Sequence, residues 1–199
     1  GQTVQRVADA IRESAAMGFT IGTTMIFGFP NETFRDRWDA IKLIHSLPLE
    51  SARYNILTPY PGTPVFHEIE QSGYPMDIKD DWENFSVQYM WEGSDLPYVP
   101  LGTNKYALMF ITMLANLWFY LRPSGIRKLL FNSVAGGNVI VLPKKWFMSG
   151  YLFRMARVAF YLGRRFLWIF LMMLITVPID WLRRKISAPR GEPIPSTGD

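Results

Sequence analysis

The stretch from Gly18 to Pro64 constrains the fold more than any other. It opens with an apolar, β-branched run, Phe19 to Phe27, which Gly28-Phe29-Pro30 breaks. A second strand-like run, Ala52 to Leu57, ends in Thr58-Pro59-Tyr60-Pro61-Gly62-Thr63-Pro64. One amphipathic helix lies between the two runs. The order strand–helix–strand, at this length, suits a parallel crossover. The chain is therefore expected to be α/β. In such units ligand-binding groups sit at the carboxyl ends of the strands, and both proline-bearing turns fall there.

The flanking elements follow local rules. Thr3 can cap a helix running to about Met17, with Val4, Val7, Ala8, Ile11 and Ala15 as its apolar stripe. Gly18 fits the position just past its end. The first strand does not alternate cleanly, as expected where helices cover both faces of a sheet. Asn31 or Thr33 can cap the crossover helix, with Glu32 and Asp36 in its first turn. Phe34, Trp38, Ile41 and Leu47 are its expected buried face, and Pro48 closes it. In the second strand Ala52, Tyr54 and Ile56 share one side, and Arg53, Asn55 and Leu57 the other. Asn55 calls for a partner, either a neighbouring loop or a ligand. A helix from Val65 to Ser72 ends at Gly73.

Four regions are expected. Residues 1–73 form the strand–helix domain, 74–103 an irregular acidic segment covering it, 104–187 a helical extension, and 188–199 a disordered Pro/Gly/Ser-rich tail. The aromatics of the covering segment (Trp82, Phe85, Tyr89 and Trp91) are read as packing residues. Charge separates the halves. Residues 1–100 carry 7 Lys+Arg against 14 Asp+Glu, whereas residues 101–199 carry 14 against 3. The basic half is also the more apolar one, which points to a membrane surface before nucleic acid. Tyr106 to Leu121 reads as a strongly apolar helix. Phe166 to Ile179 is a run of 14 residues without charge, flanked by Arg164-Arg165 and by Asp180 with Arg183-Arg184-Lys185. A spanning helix needs roughly 20 apolar residues. In-plane or re-entrant placement is favoured, with a short span and a buried soluble helix as the alternatives. The chain opens on Gly1-Gln2-Thr3, without an initiator Met or signal peptide, and is read as a fragment of a longer protein.

The two turns at this spacing resemble the radical S-adenosylmethionine enzymes, in particular those with an upstream cobalamin-binding domain. The Trp118-Phe-Tyr-Leu-Arg-Pro123 stretch is similar to that group's carboxyl-terminal extension, so the resemblance covers residues 1–123. It implies the last strands and helices of a partial (β/α)6, TIM-like barrel. It also implies an S-adenosylmethionine site. In that family the adenine rests on an apolar residue of the fifth strand in a Gly-x-Ile-x-Gly-x-x-Glu pattern. Ile26 and Gly28 match; Thr24 stands for the first glycine, and Glu32 falls one residue late, with helix capping as its alternative role. Leu57, Thr58, Pro59 and Tyr60 would lie near the adenine edge.

The family's four-iron cluster needs three cysteines, and this chain contains none. Disulfides and zinc–thiolate sites are excluded by the same count. His45 and His67 are isolated and read as surface or cap residues. No Walker loop, dinucleotide fingerprint or hydrolase elbow is present. Two functions are carried forward. One is a fragment of a cobalamin-type radical enzyme, inactive alone, on the cytoplasmic side of the membrane. Its cofactors would be S-adenosylmethionine, a [4Fe-4S] cluster liganded elsewhere, and possibly cobalamin. It would perform methyl transfer, cyclisation or related C–H chemistry on a lipid-, isoprenoid- or porphyrin-like substrate. The other is a non-catalytic, membrane-associated α/β scaffold or binding protein.

Overall fold

A computed structural model describes residues 3–73, 96–125 and 151–187. The helices are α1 (Val4–Ala16), α2 (Phe34–Ser46), α3 (Pro64–Gln71), α4 (Lys105–Leu121) and α5 (Tyr151–Ser187); the strands are β1 (Gly22–Phe27) and β2 (Ser51–Ile56). The described chain is thus α/β and mostly helical. β1 and β2 pair in parallel, from Gly22 opposite Ser51 to Phe27 opposite Ile56. The crossover helix α2 starts at a reciprocal capping box. Thr33 Oγ1 accepts from the Asp36 N–H, and the Asp36 carboxylate accepts from the Thr33 N–H at 2.8 Å. Of the two expected caps, Thr33 serves, and Glu32 has another role.

The sheet is covered on one face. Phe27, Ala52, Tyr54 and Ile56 pack into a core with Ile41, Ile44, Leu47 and Leu49. α4 completes it through Leu108, Met109, Ile111, Met113, Ala115 and Phe119. The same helix closes the outer edge of β2 with side chains. Asn116 Oδ1 accepts from the Tyr54 N–H at 3.1 Å, and its Nδ2 donates to the Tyr54 carbonyl at 2.9 Å. The Tyr120 hydroxyl donates to the Ala52 carbonyl at 3.1 Å, and Arg122 Nη2 donates to the Leu49 carbonyl. A strand edge with unmet donors and acceptors is a template for further pairing; here a polar stripe on an otherwise apolar helix occupies it. Successive contacts climb α4 while descending β2, so the two run antiparallel. The amino end of α4 therefore lies at the carboxyl ends of the strands.

Three expectations change. The other face of the sheet, with Thr24, Ile26 and Arg53, is exposed, so β1 is not covered on both sides by the described residues. Phe34 is 63% exposed, and Arg37 (4%) takes the inward position with Ile41 and Ile44. The face of α2 is rotated because Phe34 sits in the first turn, beyond the cover of the sheet. Of the α1 stripe, Ala8 is buried, while Val4 and Val7 are exposed.

The carboxyl-terminal helix is longer than the charge-free run suggested. It spans 37 residues and continues through Pro178. Residues 156–185 are long and apolar enough to cross a membrane by length and composition. α5 packs on α4 along one seam. Ile169 is fully buried, the Phe110 ring meets Phe166 and Phe170 at 5.1 and 5.4 Å, and Tyr106 meets Trp168 at 5.4 Å. The expected covering segment, with Trp82, Phe85, Tyr89 and Trp91, lies mostly outside the described residues. So does the Pro/Gly/Ser-rich tail.

Candidate functional site

The carboxyl ends of β1 and β2 bring the two turns side by side. At the end of β1, Gly28 adopts φ +93°, a conformation that favours glycine. A Cβ there would lie 3.3 Å from Leu108 Cδ2 and 3.6 Å from Ile56 Cγ2. The close approach that demands glycine at this position is thus made by α4 and β2 behind the turn.

Glu32 returns to the same turn. Asn31 takes a left-handed φ of 64°, and the Glu32 N–H closes on the Phe29 carbonyl at 3.1 Å. That turn carries the Glu32 carboxylate back to the Gly28 N–H, which donates to Oε2. Arg37 Nε donates to the same oxygen at 2.9 Å, and its Nη2 donates to the Glu32 carbonyl at 3.2 Å and to Thr103 Oγ1 at 3.4 Å. A buried guanidinium needs such a carboxylate. Glu32 therefore locks the β1 turn to α2 and to the lead-in of α4.

The second turn is built from β2. The Leu57 N–H donates to the Phe27 carbonyl at 2.8 Å, extending the ladder past both strands. Leu57 and Pro59 are buried, Thr58 is half-buried and Tyr60 is exposed. Thr63 then caps α3, with Oγ1 accepting from the Phe66 N–H, and Pro64 occupies the first turn.

The surface these turns share is the open face of the sheet. Ile26, 42% exposed, stands opposite Asn55, and Thr24 opposite Arg53. The Asn55 amide makes no hydrogen bond among the described residues, so of its two expected partners the loop is not seen there. The arrangement is an apolar patch beside an amide, a hydroxyl and a guanidinium. Ile26, Leu57, Thr58, Pro59 and Tyr60 are thereby gathered at one end of the sheet. Gly28 and Glu32 lie at the same end, but their backbone and carboxylate groups already serve the fold. Arg53 was not singled out by its residue type; only the period-2 parity of the second strand marks it.

Elsewhere the chemistry is structural. A groove of about 470 Å³ lined by Arg6, Val7, Ala10, Ile11, Ser14 and Ile21 lies at the opposite, amino end of β1. His45 is half-buried against the Trp118 ring at 4.6 Å and the Phe119 ring at 5.8 Å. Burial first, and the nearby Arg122 second, hold its pKa below the ordinary 6.5. Hydrogen bonds from the Thr33 side chain and backbone hold Asp36 low. Burial pushes the Tyr54 phenol up; its hydroxyl has no hydrogen-bond partner among the described residues. No group of three His, Cys, Asp or Glu able to hold a metal occurs among the described residues.

Comparison with known proteins gives partial likenesses. The chain is 26% identical over 99 residues to a bacteriochlorophyllide d C-8(2)-methyltransferase of Chlorobaculum tepidum, which covers 50% of this chain and 21% of that protein. It is 36% identical over 63 residues to an uncharacterised methyltransferase of Pyrococcus horikoshii, or 32% of this chain and 14% of the relative. It is 40% identical over 61 residues to the human threonylcarbamoyladenosine tRNA methylthiotransferase, or 31% of this chain and 10% of that enzyme. The chain thus spans between a tenth and about a fifth of the length of these curated relatives. No protein-family model matches it, and no solved structure does. The matched relatives transfer methyl or methylthio groups, which supports the radical S-adenosylmethionine resemblance at its broadest and nothing finer.

Proposed function

We propose that this chain is the carboxyl-terminal part of a cobalamin-type radical S-adenosylmethionine enzyme. The observation that carries the reading is the parallel strand–helix–strand unit whose two motif turns meet at the open, carboxyl-end face of the sheet. Partial likeness to a methyltransferase and a methylthiotransferase supports it. On this reading β1 and β2 are the last two strands of a partial (β/α)6 barrel, and their open face looks into it.

S-adenosylmethionine fits the residues present in part. Ile26 offers an apolar wall for the adenine, Asn55 an amide with no hydrogen bond among the described residues, and the Leu57-to-Tyr60 segment a rim. Glu32 and Gly28 hold the turn in shape and so act as positioning residues. The four-iron cluster does not fit this chain: with no cysteine there is no thiolate to hold it. Its ligands, and any cobalamin, would belong to another part of the protein. The substrate would be lipid-, isoprenoid- or porphyrin-like. The apolar, basic α5 supports a membrane association, and on this reading the protein would lie on the cytoplasmic face, where anionic lipids attract Lys and Arg.

The test is anaerobic reconstitution of the complete gene product with iron and sulfide, followed by incubation with S-adenosylmethionine and a reductant. Bound iron and 5′-deoxyadenosine are expected. A protein that holds no iron and forms no 5′-deoxyadenosine sinks the reading. The absence of cysteine from this chain favours the second reading in that event, a membrane-associated scaffold that has kept the barrel's shape without its cluster.

A further inference from the structure

We infer that α5 lies in the plane of one membrane leaflet instead of crossing the bilayer, and that it thereby holds the carboxyl ends of β1 and β2 beside that leaflet. The inference rests on the membrane reading above and adds to it an orientation and a route for substrate.

The first argument is what α5 packs against. Its seam of Phe166, Ile169, Phe170, Thr176 and Asp180 is half-buried or buried, at the spacing of a single helix face. That seam meets α4 throughout the charge-free run: Phe110 meets Phe166 and Phe170, and Asn104 Nδ2 donates to Thr176 Oγ1 at 3.0 Å and to the Asp180 carboxylate at 2.6 Å. α4 in turn is bonded to the edge of β2 through Asn116. The α/β unit therefore sits alongside the apolar middle of α5, not beyond one of its ends. Were α5 to cross the bilayer, this unit would sit at hydrocarbon depth. Its exposed ion pairs, Arg12–Asp9 and Lys42–Asp39, would lose their water.

The second argument is the opposite face. Leu167, Leu171, Leu174, Ile175 and Leu182 are exposed there, as a continuous apolar strip with nothing described upon it. Basic groups lie over aromatic rings at both ends of the strip. The Arg165 guanidinium is 4.7 Å from the Trp168 ring centroid, and the Lys185 ammonium is 4.4 Å from that of Trp181. An apolar strip rimmed by aromatic and cationic side chains matches an interface of acyl chains and anionic headgroups. The sole acid within α5, Asp180, is turned inward to Asn104.

The third observation joins this face to the candidate site. Gly28 bonds to Glu32, Glu32 to Arg37 and Arg37 to Thr103; the next residue, Asn104, bonds to Asp180. A short polar chain thus ties the β1 turn to the basic end of α5. With α5 lying flat, the open strand ends face a substrate that partitions into the same leaflet: an amphiphile with a long apolar part.

This chain contributes no cysteine of its own, so each introduced thiol is read against the unsubstituted protein, whose labelling gives the background from any cysteine outside these residues. Three exposed positions serve: Phe153→Cys and Lys185→Cys towards the ends of α5, and Leu174→Cys on the strip. Each variant is produced in cells, and sealed membrane vesicles of both orientations are treated with a membrane-impermeant maleimide. Flat placement predicts that Phe153→Cys and Lys185→Cys react in the same vesicle orientation and are both protected in the other, while Leu174→Cys reacts only after detergent. Reaction of the two end positions in opposite orientations means that α5 spans and overturns the inference. Rapid reaction of Leu174→Cys without detergent overturns it too, because the strip is then in water. Recovery of the protein in the soluble fraction would instead bring down the membrane reading on which the inference stands.

Discussion

Replacing Asn116 with alanine tests the packing that positions the site. Its side chain makes two hydrogen bonds to one residue of the edge strand, to the Tyr54 N–H at 3.1 Å and to the Tyr54 carbonyl at 2.9 Å. Each such bond contributes about 1 kcal/mol net, and a buried donor or acceptor left alone costs about 1–3 kcal/mol. Tyr54 is buried, so water reaches the stranded groups poorly. The expected loss for Asn116→Ala is therefore ~2–5 kcal/mol, a large share of the ~5–15 kcal/mol typical of a domain. Tyr120→Phe removes one bond, to the Ala52 carbonyl, and should lose ~1 kcal/mol. Urea unfolding followed by circular dichroism gives the difference in stability, and hydrogen exchange at the Tyr54 amide reports the bond itself. If Asn116→Ala unfolds within ~0.5 kcal/mol of the parent, as an ordinary surface change does, α4 does not close the sheet edge and the argument fails. An unchanged exchange rate at Tyr54 would refute it independently.

Three further outcomes follow from single sites. Gly28→Ala must hold a left-handed φ and press its Cβ on Leu108, so a loss of ~1–3 kcal/mol is expected in the same urea assay, and an unchanged midpoint would show that the turn can relax. His45 has a lowered pKa in the fold, so the unfolded chain takes up a proton that the folded one refuses. The His45 contribution is complete above its ordinary 6.5 and falls as pH drops below it, until the folded group also protonates. In His45→Phe this part of the acid slope should vanish from stability measured between pH 5 and 7, whereas equal slopes in both proteins would contradict the burial. Finally, neutralising Arg183, Arg184 and Lys185 to glutamine should weaken pelleting with anionic vesicles by up to ~100-fold at low salt, at ~1 kcal/mol per charge, and leave neutral vesicles unaffected. Unchanged pelleting would remove the basic end from the membrane contact.

Removal of the whole carboxyl-terminal region is a poorer test of membrane attachment. α5 buries Ile169 and covers Phe110 and Tyr106 of α4, so its deletion exposes part of the core as well as removing the charges. Substitutions on the outward face separate the two effects, because Leu174 and Lys185 are exposed.

Local signals in the sequence determined the elements and their ends. Thr3, Thr33, Thr63 and Asn104 each accept a hydrogen bond from an unsatisfied helix amide, and that chemistry needs only neighbouring residues. The parity of Ala52, Tyr54 and Ile56 likewise put them on one side of β2, because alternate residues point to opposite faces, and the structure shows that this side is the buried one. What only the tertiary structure decided is which faces are covered and by what. Phe34 has the hydrophobicity of a core residue but lies beyond the sheet, and Arg37 is buried where the Asn31 turn brings Glu32 back to it and Thr103 arrives from far along the chain. The Gly-Phe-Pro-Asn-Glu turn advertised a ligand site, yet the approach that requires Gly28 is made by Leu108, 80 positions later. Asn116 carries no motif, and Tyr120 and Arg122 stand out only through the resemblance of the Trp118-to-Pro123 stretch; they matter because α4 runs antiparallel to β2 at bonding distance. The apolar run of α5 was evident from composition, but its side-by-side packing on α4 was not, since periodicity records that a face is apolar and does not record what lies against it.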